Sequence, residues 1–120
     1  MSPRYHYTCD HGRRLITGTI VPADSLGRYP NDGPWIYAWF TDLSRPNRAA
    51  LGLTSHTLTC DRTAYRYRVT DGRDLIHWTH VRRDHAWAEE LESAPGARLM
   101  HWWVARHPVP VVYDAEGVEK

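Results

Sequence analysis

A histidine and a threonine two residues apart offer the first polar pair that could contact a ligand. They lie in Tyr5-His6-Tyr7-Thr8, a segment that predicts a short strand. Residues two apart on a strand point to the same face, so His6 and Thr8 can touch one ligand together. Both side chains donate and accept hydrogen bonds, which suits ribose hydroxyls and a carboxamide. The alternative is a half-buried histidine and a threonine that caps the next helix.

An indole at the end of an apolar run offers the second candidate contact. The run Trp35-Ile36-Tyr37-Ala38-Trp39-Phe40 predicts a buried strand that ends at Thr41. Strand alternation puts Tyr37, Trp39 and Thr41 on one side. An indole there can stack on a flat heteroaromatic cation, because the ring quadrupole attracts positive charge. The other interpretation is that Trp39 belongs to the core.

Two cysteines and two histidines form a third constellation, which could bind zinc. Cys9, His11, His56 and Cys60 offer two thiolates and two imidazoles for a closed tetrahedral site. A Cys-x-His pair is not a common zinc spacing, however. Two buried thiols without metal are therefore favoured, and no metal ligand is predicted.

The elements that must position these residues are short strands and short helices without regular β-α-β alternation. This pattern predicts an α+β fold with a compact, mainly antiparallel sheet, which can be split in two, and three short helices. A loop rich in Pro, Gly, Asp and Asn is expected over 22–34. The segments concerned are strands at 5–8, 19–21, 35–40, 54–60, 65–69, 101–105 and 109–113, and helices at 12–17, after Ser44 and from Asp84.

Composition indicates one globular domain over 1–120, with a frayed tail at 115–120. The chain is 42% hydrophobic and 24% charged, and its net charge of +1 gives no field that would attract nucleic acid or an anionic membrane. It has no apolar run of about 20 residues and no apolar leader, so no membrane partner is expected. Its two cysteines are too few for a disulfide scaffold, so a cytoplasmic location is predicted.

The order of the first motifs resembles the opening of ADP-ribosyltransferase-type domains. Those domains begin with Tyr-His-x-Thr on a strand, a short helix and Gly-x-Ile-x-Pro, which is Gly18-Thr19-Ile20-Val21-Pro22 here. A strand that ends aromatic-x-Thr follows, then another short helix, and Trp39-Phe40-Thr41 is similar to it. The pattern is similar to that of the rifampin-modifying, RNA 2′-phosphotransferase and DNA-modifying branches. The resemblance covers residues 4–70 by order of elements and few positions by identity.

The resemblance implies an NAD cofactor and transfer of ADP-ribose to an acceptor that is a protein, a nucleic acid or a small molecule. His6 would bind the NAD ribose as a catalytic residue, and Trp39 would hold the nicotinamide ring. Cleavage of the ribosyl–nicotinamide bond develops positive charge, which the protein must stabilise in the transition state. The implied cofactor contacts are Tyr5, His6, Thr8, Tyr37, Trp39 and Thr41. His6 and Trp39 must then face each other across one dinucleotide-sized cleft.

The late strand departs from this pattern. Many members carry a glutamate there, whereas His101-Trp102-Trp103-Val104-Ala105 contains no acid. Trp102 is the predicted catalytic partner of His6 in its place, with His101 as the other candidate for the pocket wall. The missing glutamate also favours an alternative function, a non-catalytic interaction module or small regulator with the same fold. Aromatic and basic alternation in Tyr65–Val69 leaves single-stranded nucleic-acid binding as a third hypothesis.

Overall fold

The computed structural model describes residues 3–8, 16–22, 34–44, 65–93 and 96–116. These residues contain a seven-stranded sheet in which every paired neighbour is antiparallel. Its strands are β1 (Tyr5–Thr8), β2 (Thr19–Ile20), β3 (Ala38–Thr41), β4 (Tyr65–Val69), β5 (Ile76–His77), β6 (Trp102–Ala105) and β7 (Val109–Glu116). The spatial order is β2-β7-β4-β1-β3-β6-β5, so the strand that carries His6 is the central one.

The sheet buries apolar side chains on both faces, and the register decides which residues share a face. Cross-strand partners project to the same side. His6 pairs with Tyr67, and Phe40 pairs with Trp103. We call this side the His6 face; its core comprises Ile20, Ala38, Phe40, Tyr67, Ala105, Val109 and Val111. The opposite side, which we call the Trp39 face, has a core of Ile36, Tyr37, Trp78, Ala88, Trp102 and Val104.

Short helical segments cover the Trp39 face. The α-helix α1 (Ala88–Glu92) is one of them, and Ala88 is its buried residue. Trp78, which is 0% exposed, is the deepest side chain of this layer. Among the described residues, four 3-10 segments accompany α1, at Pro34–Ile36, Trp78–His80, Arg82–Asp84 and Leu99–His101. Among the described residues, no helix is both long and apolar enough to span a bilayer.

The coarse fold prediction is confirmed, since a mainly antiparallel sheet with few helices is observed. The helix count differs. Only α1 is α-helical within the described ranges, and the helix predicted from Asp84 begins instead at Ala88. Ile16 and Thr17 are not helical, while residues 12–15 and the segment after Ser44 lie outside the described residues.

The strand predicted over 35–40 begins later, at Ala38, and ends at Thr41. Pro34 explains the shift, because its fixed φ and missing N–H suit the first position of a helical turn rather than a strand interior. The Pro34 carbonyl accepts from the Tyr37 amide at 3.3 Å and closes that turn. At the other end of the chain, β7 continues to Glu116. Residues 23–33, 54–60 and 117–120 lie outside the described part, so the strand, loop and tail predicted there stay predictions.

Candidate functional site

His6 is a partly buried imidazole with one ring nitrogen held by a hydrogen bond. Its Nδ1 lies 2.8 Å from the carbonyl oxygen of Trp39. A carbonyl only accepts, so Nδ1 carries the hydrogen and Nε2 is left as an acceptor. Burial lowers the pKa of His6 below its usual 6.5 and outweighs the opposite effect of that hydrogen bond. His6 is therefore neutral at pH 7, and its Nε2 can accept from a hydroxyl group.

Trp39 is a core residue on the other side of the sheet. Its indole N–H donates to the Pro34 carbonyl at 2.7 Å. Its ring centroid lies 4.9 Å from that of Trp78, 5.9 Å from Trp102 and 6.2 Å from Tyr37. Edge-to-face and tilted contacts of this kind stabilise aromatic cores. The core interpretation of Trp39 is the one that the packing supports.

The common cleft expected between His6 and Trp39 is not formed. His6 contacts the ring of Phe40, at 5.7 Å between centroids, and Phe40 belongs to the opposite core from Trp39. The cause is strand alternation, which sends the side chains of Trp39 and Phe40 to different faces. The predicted site residues are thereby divided: His6 and Thr8 lie on the His6 face, and Tyr5, Tyr37, Trp39, Thr41 and Trp102 lie on the Trp39 face.

The predicted residues on the Trp39 face are engaged in internal contacts. Trp102 is 2% exposed and Thr41 is 2% exposed, with the Thr41 hydroxyl accepting from the Leu43 amide at 3.2 Å. The Tyr37 hydroxyl lies 2.7 Å from Nε2 of His85, and burial raises the pKa of Tyr37. The Arg66 guanidinium lies over the Tyr5 ring, 4.6 Å from the ring centroid. These side chains form the core and its polar edge.

An aspartate and a histidine meet where β3 ends and β6 begins. Oδ1 of Asp42 lies 2.7 Å from Nδ1 of His101, and the two side chains are 26% and 32% exposed. The Thr41–Trp102 register brings them together, because Asp42 follows Thr41 and His101 precedes Trp102. Arg98 reaches the other ring nitrogen of His101 at 3.2 Å. Sequence reasoning named His101 but missed Asp42, since nothing in the sequence fixes this register.

Trp103 is the indole that lies on the His6 face. It is the cross-strand partner of Phe40, and the Arg4 guanidinium stacks 3.9 Å from the ring centroid. The His77 ring meets it edge-on at 4.8 Å. Within the part of the chain that the structure describes, the Trp103 N–H is a buried donor without an acceptor. A buried donor that is left unsatisfied costs about 1–3 kcal/mol.

The zinc constellation cannot be placed, because Cys9, His11, His56 and Cys60 lie outside the described residues. Among the residues that are described, no three His, Cys, Asp or Glu side chains group closely enough to hold a metal ion.

Comparisons of this chain with family models, with curated proteins and with solved structures find no match.

Proposed function

We propose that this chain is an NAD-binding protein of the ADP-ribosyltransferase type, with its site on the His6 face and not between His6 and Trp39. The observation that carries this proposal is the His6 imidazole, whose Nδ1 lies 2.8 Å from the Trp39 carbonyl oxygen. Its Nε2 is suited to accept a hydrogen bond from a ribose hydroxyl. The proposed site keeps His6 as the ribose contact that the sequence resemblance implies, but it replaces Trp39 as the contact of the nicotinamide ring.

Trp103 takes the place of Trp39 as the proposed nicotinamide contact. His6 and Trp103 stand on strands separated only by β3, which corresponds to about 10 Å at a strand spacing of about 4.8 Å. A dinucleotide is long enough to reach both. The guanidinium of Arg4 stacks on the Trp103 ring, so Arg4 would have to leave this indole for another flat cation to take its place. The oxidised nicotinamide ring is also a flat cation.

Thermal unfolding in the presence of NAD tests this proposal. A ligand that binds only the folded state at 100 times its Kd stabilises that state by about 2.7 kcal/mol. For a chain of 120 residues this corresponds to a rise in Tm of about 10 °C. His6→Ala and the ring-preserving His6→Phe should abolish the rise, and Trp103→Leu should reduce it.

Trp39→Phe is the matched control on the opposite face. It should lower the Tm of the free protein but leave the NAD-induced rise intact. A rise that survives Trp103→Leu and disappears in Trp39→Phe would place the ligand on the wrong face for this proposal. The absence of any rise in the unmodified protein would refute NAD binding altogether.

A non-catalytic interaction module is the second candidate function. The observation in its favour is that Tyr37, Trp39 and Trp102 serve as core residues, while β6 carries no carboxylate. A protein that keeps its fold without transfer chemistry would show this pattern. Recovery of a stoichiometric protein partner, together with no binding or consumption of NAD, would favour this candidate over the first.

A further inference from the structure

The Arg4 guanidinium occupies the indole that the proposed site needs. Its Cζ lies 3.9 Å from the centroid of the Trp103 ring. A guanidinium is planar and always charged, and it stacks on aromatic faces. The oxidised nicotinamide ring is likewise planar and positively charged. Trp103 is therefore already in contact with a flat cation, and this cation belongs to the chain itself.

Arg4 and His6 project from the same face of the sheet. Arg4 directly precedes β1, and residues two apart on an extended segment point to the same side, about 7 Å from each other. β3 lies between β1 and β6, so the Arg4 side chain reaches across β3 to contact Trp103. A ligand that contacts both His6 and Trp103 therefore meets the Arg4 side chain.

The main chain of Arg4 is held in the sheet, whereas its side chain reaches the surface. The Arg4 carbonyl accepts from the Val69 amide at 2.9 Å. The side chain is partly exposed, and one of its terminal nitrogens donates to the Pro3 carbonyl at 3.4 Å, which is long for a hydrogen bond. Rotation of the side chain can withdraw the guanidinium from Trp103 while the main-chain hydrogen bond stays in place.

We infer that Arg4 is an internal competitor, which covers the Trp103 ring in the free protein and leaves it when the nicotinamide ring of NAD binds. This inference rests on the proposed function and adds a regulation of its site. The incoming ring displaces one cation–π contact, and it forms another only when it carries a positive charge. Arg4 therefore lowers the affinity of the site and makes entry harder for a neutral ring than for a flat cation.

Titration calorimetry with NAD measures the competition directly. Arg4→Met removes the charge and keeps an unbranched side chain. The energy of one cation–π contact corresponds to about 2- to 30-fold in affinity, so this variant should bind NAD more tightly than the unmodified protein by that factor. Arg4→Lys keeps a positive charge but lacks the planar group, so its affinity should lie between the two. NADH, whose nicotinamide ring is neutral, should bind the unmodified protein more weakly than NAD.

Arg106 provides the matched control on the opposite face. Its guanidinium also lies over an aromatic ring, 5.9 Å from the centroid of Tyr37, and Tyr37 belongs to the core of the Trp39 face. Arg106→Met makes the same change in net charge as Arg4→Met. It should bind NAD with the affinity of the unmodified protein.

NMR of the unmodified protein tests the displacement without any substitution. The δ protons of Arg4 lie under the Trp103 ring current and should resonate upfield of ordinary arginine values. Saturation with NAD should move them back to those values. So should 1-methylnicotinamide, which is a flat cation without ribose or phosphate, whereas neutral nicotinamide at the same concentration should move them less.

Three results would overturn this inference while NAD binding stands. They are equal or weaker NAD binding by Arg4→Met, Arg4 resonances that stay in place at saturation, and a gain in Arg106→Met as large as that in Arg4→Met, which would show an effect of net charge alone. If NAD fails to bind the unmodified protein, the proposed function is overturned and this inference with it.

Discussion

Glu92 is the residue whose removal should test the packing of the Trp39 face most directly. Its carboxylate is 7% exposed and accepts from the indole N–H of Trp78 at 2.5 Å and from Nε of Arg82 at 2.7 Å. A second nitrogen of Arg82 donates to the other carboxylate oxygen. Trp78 is 0% exposed and lies at the centre of the aromatic core. Glu92 thus satisfies a polar group that no water reaches.

The cost of Glu92→Ala follows from the two partners that it leaves behind. The buried Trp78 N–H loses its acceptor, which costs about 1–3 kcal/mol. The Arg82 side chain is 40% exposed, so it can be hydrated, and the loss of its ion pair adds little. We expect a total near 2–3 kcal/mol. For 120 residues this lowers the Tm by about 8–12 °C.

Thermal unfolding followed by near-ultraviolet circular dichroism measures this change and reports on the tryptophan environment. Glu90→Ala on the exposed side of α1 is the control and should change stability by no more than about 0.5 kcal/mol. If Glu92→Ala lowered the Tm no further than Glu90→Ala, the carboxylate would contribute nothing to the fold, and our account of this face would be refuted.

The pH dependence of the Tm of Glu92→Ala gives a second test of how the Glu92 carboxylate contributes to stability. Hydrogen bonds from Arg82, with a smaller contribution from Trp78, hold the pKa of Glu92 below its ordinary value of 4.5 despite its burial. A group with a lowered pKa stabilises the folded state above its unfolded pKa, and this stabilisation is lost as the pH falls through the folded pKa. The Tm difference between the unmodified protein and Glu92→Ala should be constant from pH 7 to about pH 5 and shrink below about pH 4.5.

Two further substitutions test local features of the sheet. Gly18 has a φ of +105°, and a Cβ at this position would have no heavy atom within 4 Å. Gly18→Ala should therefore lower the free energy of unfolding in urea by about 1–2 kcal/mol through backbone strain alone. Gly72→Ala is the control and should be close to neutral, because a Cβ there would meet its neighbours at ordinary contact distances. Tyr7→Phe should cost about 1 kcal/mol, because the Tyr7 hydroxyl donates to the Leu43 carbonyl at 2.7 Å. Burial raises the pKa of Tyr7 to about 12, so an alkaline absorbance titration of this variant should lack one late-ionising phenol; an unchanged titration would contradict the assigned burial.

The strands at the centre of the sheet were predictable because their local pattern agrees with their final position. In Tyr65–Val69 the aromatic and basic residues alternate, and the structure buries Tyr67 while it exposes Arg68. The helix from Asp84 was less predictable. Trp87 and Leu91 have helical spacing, but the residues before Ala88 form 3-10 turns that pack Trp78 into the core. Tertiary burial of one large side chain outweighs helix propensity there.

The candidate site was less predictable than the strands, because it depends on contacts between residues distant in the sequence. Asp42 and His101 are 59 residues apart and meet only through the pairing of β3 with β6. Trp102 and Trp103 are neighbours of the same type, and only the register decides that Trp102 is buried on one face while Trp103 lies on the other. Composition and motif spacing carry no information on that choice.

Trp39 shows why the sequence of a strand that is buried on both faces does not reveal which side chains point to which face. All four residues of β3 are buried or nearly so, so the strand lacks the polar alternation that normally identifies its core face. A slip of one residue against β1 would turn Trp39 toward His6. It would also withdraw the Trp39 ring from Trp78 and Trp102, and Phe40, which is 3% exposed, would leave its own core. Burial of both rings therefore fixes the observed register, and it is this register that separates His6 from Trp39.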